Sequence, residues 1–73
     1  MTFRELRLRA LMADNDFRHA ARTGAHPDEI KRLWVRKELW RLRLHFAARA
    51  AELGPRYNFW HELRVLQRER RAA

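Results

Sequence analysis

The sequence predicts an all-α protein of three helices, in which a long central helix is apolar on two faces. Three observations carry this reading. Apolar residues recur at steps of three and four over most of the chain. Two punctuation points, Thr23-Gly24-Ala25-His26-Pro27 and Gly54-Pro55, divide it into three runs, because glycine closes helices and proline opens them. No stretch alternates apolar and polar residues for long enough to be a strand. The 73 residues form a single small helical domain, residues 1–73.

The first helix is expected from about Thr2 to Arg22. Phe3, Leu6, Ala10, Ala13, Phe17 and Ala20 line one face, and Asp14-Asn15-Asp16 falls between two of these inward positions. The helix therefore runs through that triplet, or else breaks there with Asp14 or Asn15 capping a second short helix.

The second helix starts at Pro27, with Asp28 and Glu29 set against the positive end of its dipole, and reaches Leu53. Ile30, Leu33, Trp34, Trp40, Leu44, Ala47, Ala48 and Ala51 fall in one arc of the helical wheel. Val35, Leu39, Leu42, Phe46, Ala50 and Leu53 fall in another, centred roughly 165° away. Lys37 and Arg41 intrude on the first arc. Two apolar arcs need cover on both sides, and short flanking helices leave part of them wet. Val35, Leu39, Leu42 and Phe46 are accordingly the candidate interface for a homodimer or a protein partner. The third helix begins after Asn58, a good N-cap, carries Phe59, Trp60, Leu63 and Leu66, and is expected to fray through Arg68-Glu69-Arg70-Arg71.

Composition narrows function by exclusion. The chain has no serine and no cysteine, and its only threonines are Thr2 and Thr23, so nucleophilic catalysis is not expected. Gly24 and Gly54 lie too far apart to build a phosphate-cradling loop. His19, His26, His45 and His61 show no i,i+4 pairing, and His61-Glu62-Leu63-Arg64-Val65 lacks the second histidine of a zinc-protease motif. No enzyme, catalytic residue, metal or cofactor is expected. Glu5 with Arg9 and Glu38 with Arg41 read as solvated helical pairs. Charged residues interrupt every long apolar run, so no membrane span is expected. The opening MTFRELRLRALMA is amphipathic and arginine-rich like an organellar presequence, yet it carries Glu5 and no serine, and it is expected to stay on the chain. An intracellular, cytoplasmic setting is the expectation, with an organelle left open.

What remains is charge. The net charge is +8, and arginine supplies 15 of the 17 cations. The segment balance is +5 for residues 31–53 and +3 for 54–73, which puts the excess on the second and third helices. Guanidinium groups make bidentate contacts to phosphate, base edges or carboxylate, so the excess fits DNA or RNA and an acidic protein surface equally. Lys31, Arg32, Arg36 and Arg43 are the candidate nucleic-acid-binding residues.

Residues 16 to 34, DFRHAARTGAHPDEIKRLW, resemble the helix-turn-helix motif of bacterial and phage DNA-binding proteins. Ala20, Gly24 and Ile30 match its small residue, turn glycine and branched apolar residue, and Leu33 fits the next core position. His19 and Thr23 stand where that motif is usually apolar. The resemblance implies that the helix from Pro27 reads DNA, with Lys31, Arg32 and Arg36 reaching bases or phosphates. The same stretch is similar to the latter part of the LYR-type helical adaptors of mitochondria, through Phe17-Arg18, Pro27, Ile30 and Leu33, with Thr2-Phe3-Arg4 nearest to the Leu-Tyr-Arg tripeptide. That resemblance implies a protein-binding adaptor, inhibitor or small subunit.

Overall fold

The computed structural model describes residues 1–72. They form three α-helices and no strand: α1 (Phe3–Thr23), α2 (Pro27–Leu53) and α3 (Phe59–Ala72), with one 3₁₀ turn, Gly54–Arg56, between the last two.

Each boundary has a local cause. Thr2 caps α1, its hydroxyl oxygen accepting from the Glu5 amide at 3.2 Å. The helix passes through Asp14-Asn15-Asp16 without a break, and Asp14 is tied to Arg18 one turn on at 3.0 Å. It ends because Gly24 turns left-handed at φ 72°, ψ 35°, where a side chain is disfavoured. The Gly24 and Ala25 amides then both return to the Ala20 carbonyl. At the start of α2 the capping side chain is His26, whose Nδ1 accepts from the Asp28 amide at 3.1 Å. Asn58 Oδ1 accepts from the His61 amide at 3.2 Å and opens α3 as expected. The fraying expected over Arg68-Glu69-Arg70-Arg71 does not occur, since α3 stays helical to Ala72. Arg70 and Arg71 lie against the negative end of its dipole, which favours the helix there.

The α1 and α2 helices fold back on each other as an antiparallel hairpin. Phe17 lies beside Pro27 and Ile30 near the turn, while Arg7 and Ala10 lie beside Leu44 at the far end. Among the described residues the buried apolar side chains are Ala13 and Ala20, both on α1, so the two backbones meet over small side chains. Between them Lys37, one of the cations intruding on the first arc, lays its ammonium over the Phe17 ring at 4.8 Å.

The α3 helix returns antiparallel along the other side of α2. Phe59 meets Phe46 with ring centroids 5.0 Å apart, and Arg70 reaches Glu38 at 3.4 Å. Next to the aromatic pair Arg49 grips Glu62 with two bonds, Nε to Oε2 at 2.9 Å and Nη2 to Oε1 at 3.2 Å, and holds Glu52 with its third nitrogen at 3.0 Å. Among the described residues Glu62 is the buried charged side chain, 5% exposed. The Arg49 hydrogen bonds hold its carboxyl below the usual carboxylate range, helped by the charges of Arg49, His61 and His45 and opposed by burial.

Among the described residues α1 and α3 do not meet, so α2 is the middle plank of a single layer. The extents are 45 × 30 × 15 Å and the radius of gyration is 14.5 Å, against about 11 Å for a compact domain of this length. Accessible surface is 6177 Å², where a compact monomer of this mass exposes about 4,900 Å². Covering both arcs of α2 with one helix each leaves Trp34, Val35 and Leu39 44–56% exposed.

Candidate nucleic-acid interface

One flank of the hairpin gathers arginines from both helices. On α2, Arg32, Arg36 and Arg43 follow at steps of four and seven, which keeps them on one face. From α1, Arg9 comes within 5.5 Å of the Trp40 ring centroid, and Arg43 approaches the same ring at 4.9 Å. Trp40 therefore holds one guanidinium from each helix by cation–π attraction. Val35 and Leu39 lie among these arginines and form the floor of an open groove of about 330 Å³.

Three of the stripe's four arginines have no carboxylate partner: among the described residues Arg9, Arg36 and Arg43 make no ion pair, while Arg32 lies 3.9 Å from Glu29. On α1, Asp16 lines a smaller neighbouring crevice together with Arg9, Arg36 and Trp40. The flank thus carries a clear positive excess on exposed side chains that are free to meet an anion.

The structure sorts the expected site residues. Arg32, Arg36 and Arg43 come together. Lys31 stands apart, beside an apolar hollow on the other flank. Of the candidate interface, Val35 and Leu39 are exposed and Leu42 is half-buried, whereas Phe46 is engaged within the chain by Phe59. Of the expected helical pairs, Glu38 and Arg41 lie 3.7 Å apart, and no Glu5–Arg9 bridge forms because Arg9 turns to Trp40. Arg9 is the member of the stripe that sequence reasoning missed, since nothing local marks which α2 residue an α1 arginine will meet.

Of the residues that carry the helix-turn-helix resemblance, Ala20 is buried, Gly24 is left-handed and Ile30 is half-buried. Here, however, the two helices lie alongside one another for most of α1, whereas that motif sets its pair at about 90–120°. No group of metal-ligating side chains and no helix long and apolar enough to cross a membrane occurs among the described residues.

Fold and site together define a class, the small basic helical protein with a cationic flank. Comparison with family models, curated proteins and solved structures finds no match.

Proposed function

We propose that this is a non-enzymatic protein that binds nucleic acid through Arg32, Arg36 and Arg43 of α2, joined by Arg9 of α1. The observation that carries the reading is the stripe, in which Arg36 and Arg43 lack carboxylate partners and Trp40 holds Arg9 and Arg43 in place. Arg32 and Arg43 are about 16 Å apart along the helix axis, a span of about five phosphates at ~3.4 Å per step of one strand. The helix-turn-helix version of the reading, a regulator of duplex DNA, rests on Ala20, Gly24 and Ile30 alone, because the side-by-side α1 and α2 depart from the crossing angle of that motif.

Fluorescence anisotropy with duplex DNA and with structured RNA across a salt series is the test. Three or four neutralised phosphates give a log–log salt slope near −3 on a duplex. Replacing Arg32, Arg36 and Arg43 together by alanine flattens that slope with helicity unchanged, while Lys31→Ala, on the other flank, changes little. Failure of both nucleic acids to bind at low salt sinks the reading.

A second copy is the alternative occupant of the same flank, since Val35 and Leu39 floor the arginine groove. The surface in excess of a compact monomer, about 1,300 Å², exceeds the roughly 800 Å² that one partner gives to a standard interface. Val35 and Leu39 are its apolar part on this flank. A two-fold contact there brings the arginine stripes of two copies together, so dimerisation strengthens as salt screens them. Sedimentation equilibrium at low and high salt measures this, and Leu39→Arg returns the monomer. A monomer at every concentration and salt refutes the dimer.

A further inference from the structure

The opposite flank of the hairpin carries a different surface. Near the turn, Phe17, Pro27, Ile30 and Trp34 line an open hollow of about 380 Å³, with Lys31 at its rim. Further along lies a trough of about 410 Å³ floored by Ala10, Leu11 and Leu44 and edged by Arg7, Arg18, Lys37 and Arg41. Lys37 over the Phe17 ring joins the two, because Phe17 belongs to the hollow and Lys37 to the trough. Asp14 holds Arg18, and Glu38, turned toward α3, holds Lys37 and Arg41 at 3.6 and 3.7 Å. Four cations against these two carboxylates leave the trough positive.

We propose that this flank docks an acidic amphipathic helix of another protein, its apolar anchor in the hollow beside Trp34 and its carboxylates along Arg7, Lys37 and Arg41. Charge complementarity selects this occupant. A second copy seated here by a two-fold axis sets Arg7, Lys37 and Arg41 against their own counterparts and brings no carboxylate stripe to meet them. A nucleic-acid base pushed into a hollow of carbon atoms leaves its edge donors and acceptors unmet. The phosphates of a flat lipid surface meet the arginines but leave the concave floor unfilled. An amphipathic helix fills both parts, because anchors at i, i+3 and i+4 and acids on the adjacent stripe are what one helix face supplies. From Ile30 to Leu44 the surface runs about 21 Å, the length of a partner segment of about 14 residues.

This proposal does not rest on the nucleic-acid reading, since the flanks share no residue and are probed separately. The test is ¹H–¹⁵N NMR of the full chain, titrated with a synthetic 14-residue helical peptide bearing a leucine stripe flanked by glutamates. Saturable shifts are expected at the Trp34 indole and the Ile30 and Lys37 amides, with Arg36 and Arg43 unmoved. Affinity falls at least tenfold for Trp34→Ser and for Arg41→Glu, both at exposed side chains. It falls as much for the unaltered protein when the leucines of the peptide become serine, which removes protein folding from the comparison. Equal binding of a scrambled peptide or polyglutamate overturns the proposal, as does absence of shifts at millimolar peptide. Stronger perturbation of Trp34 by double-stranded RNA or phosphatidylserine vesicles overturns it in favour of that ligand.

Discussion

The two faces of α2 are held by different physics. One lies against α1 through small side chains, with Ala13 and Ala20 buried and a cation laid over Phe17. The other meets α3 through the Phe46–Phe59 pair and the part-buried bidentate contact of Arg49 with Glu62. The first contact depends on close approach of the two backbones. The second depends on charges and directions, so it is specific in register and sensitive to protonation. Covering a two-faced helix by unlike means lets one side loosen while the other stays formed.

The largest expected effect breaks the α1 side. Ala13→Asp places an unpaired charge where the backbones meet and costs about 3 kcal/mol or more, a large share of the stability of a small domain. Circular dichroism then shows helix loss throughout the chain rather than in α1 alone. Retained helicity with a cooperative melt near that of the unaltered protein contradicts the hairpin interface.

Breaking the other side is smaller and local. Glu62→Gln removes the charge and one of the two acceptor oxygens that Arg49 grips, so hydrogen exchange quickens across α3 while the amides of α1 keep their protection. Acid does the same to the unaltered protein. The folded-state pKa of Glu62 is depressed, so its contribution is complete above the unfolded carboxylate value, about 4.3, and is lost as pH falls through the lower folded value. Acid release of α3 that is equally steep in Glu62→Gln assigns the effect elsewhere.

The smallest change sharpens the comparison at the hairpin turn. A Cβ built on Gly24 meets nothing within 4 Å, so Gly24→Ala costs only the left-handed backbone conformation, about 1–2 kcal/mol. In a domain of this size each kcal/mol lowers Tm by about 4–8 °C. A thermal melt that does not move means that the turn has re-formed around another residue.

The architecture was largely legible in the sequence because each element announces itself locally. Thr2, Gly24, Pro27, Gly54 and Asn58 act at their own positions, and periodicity located both arcs of α2. The site was legible only in part. The stripe Arg32, Arg36 and Arg43 follows from spacing on one helix, but Arg9 joins it through a tertiary contact with Trp40, and Lys31 leaves it because a step of one residue turns it to another side. Asp28 and Glu29 stand in the first turn of α2 as expected, while the cap before them, His26, was not legible because a ring nitrogen stands in for the usual side-chain oxygen. Charge runs hide direction, and the C-terminal arginines that looked like a fraying tail support α3.

The 15 Å thickness of the layer has a calorimetric consequence. Heat capacity rises on unfolding in proportion to newly wetted apolar surface, and a slab one helix thick has already wetted much of it. The protein should therefore fall below the usual 12–15 cal/mol/K per residue, with a shallow stability curve and a broad melt. A partner that closes either flank restores the missing increment, so its arrival registers as a negative heat-capacity change of binding and as a narrower transition.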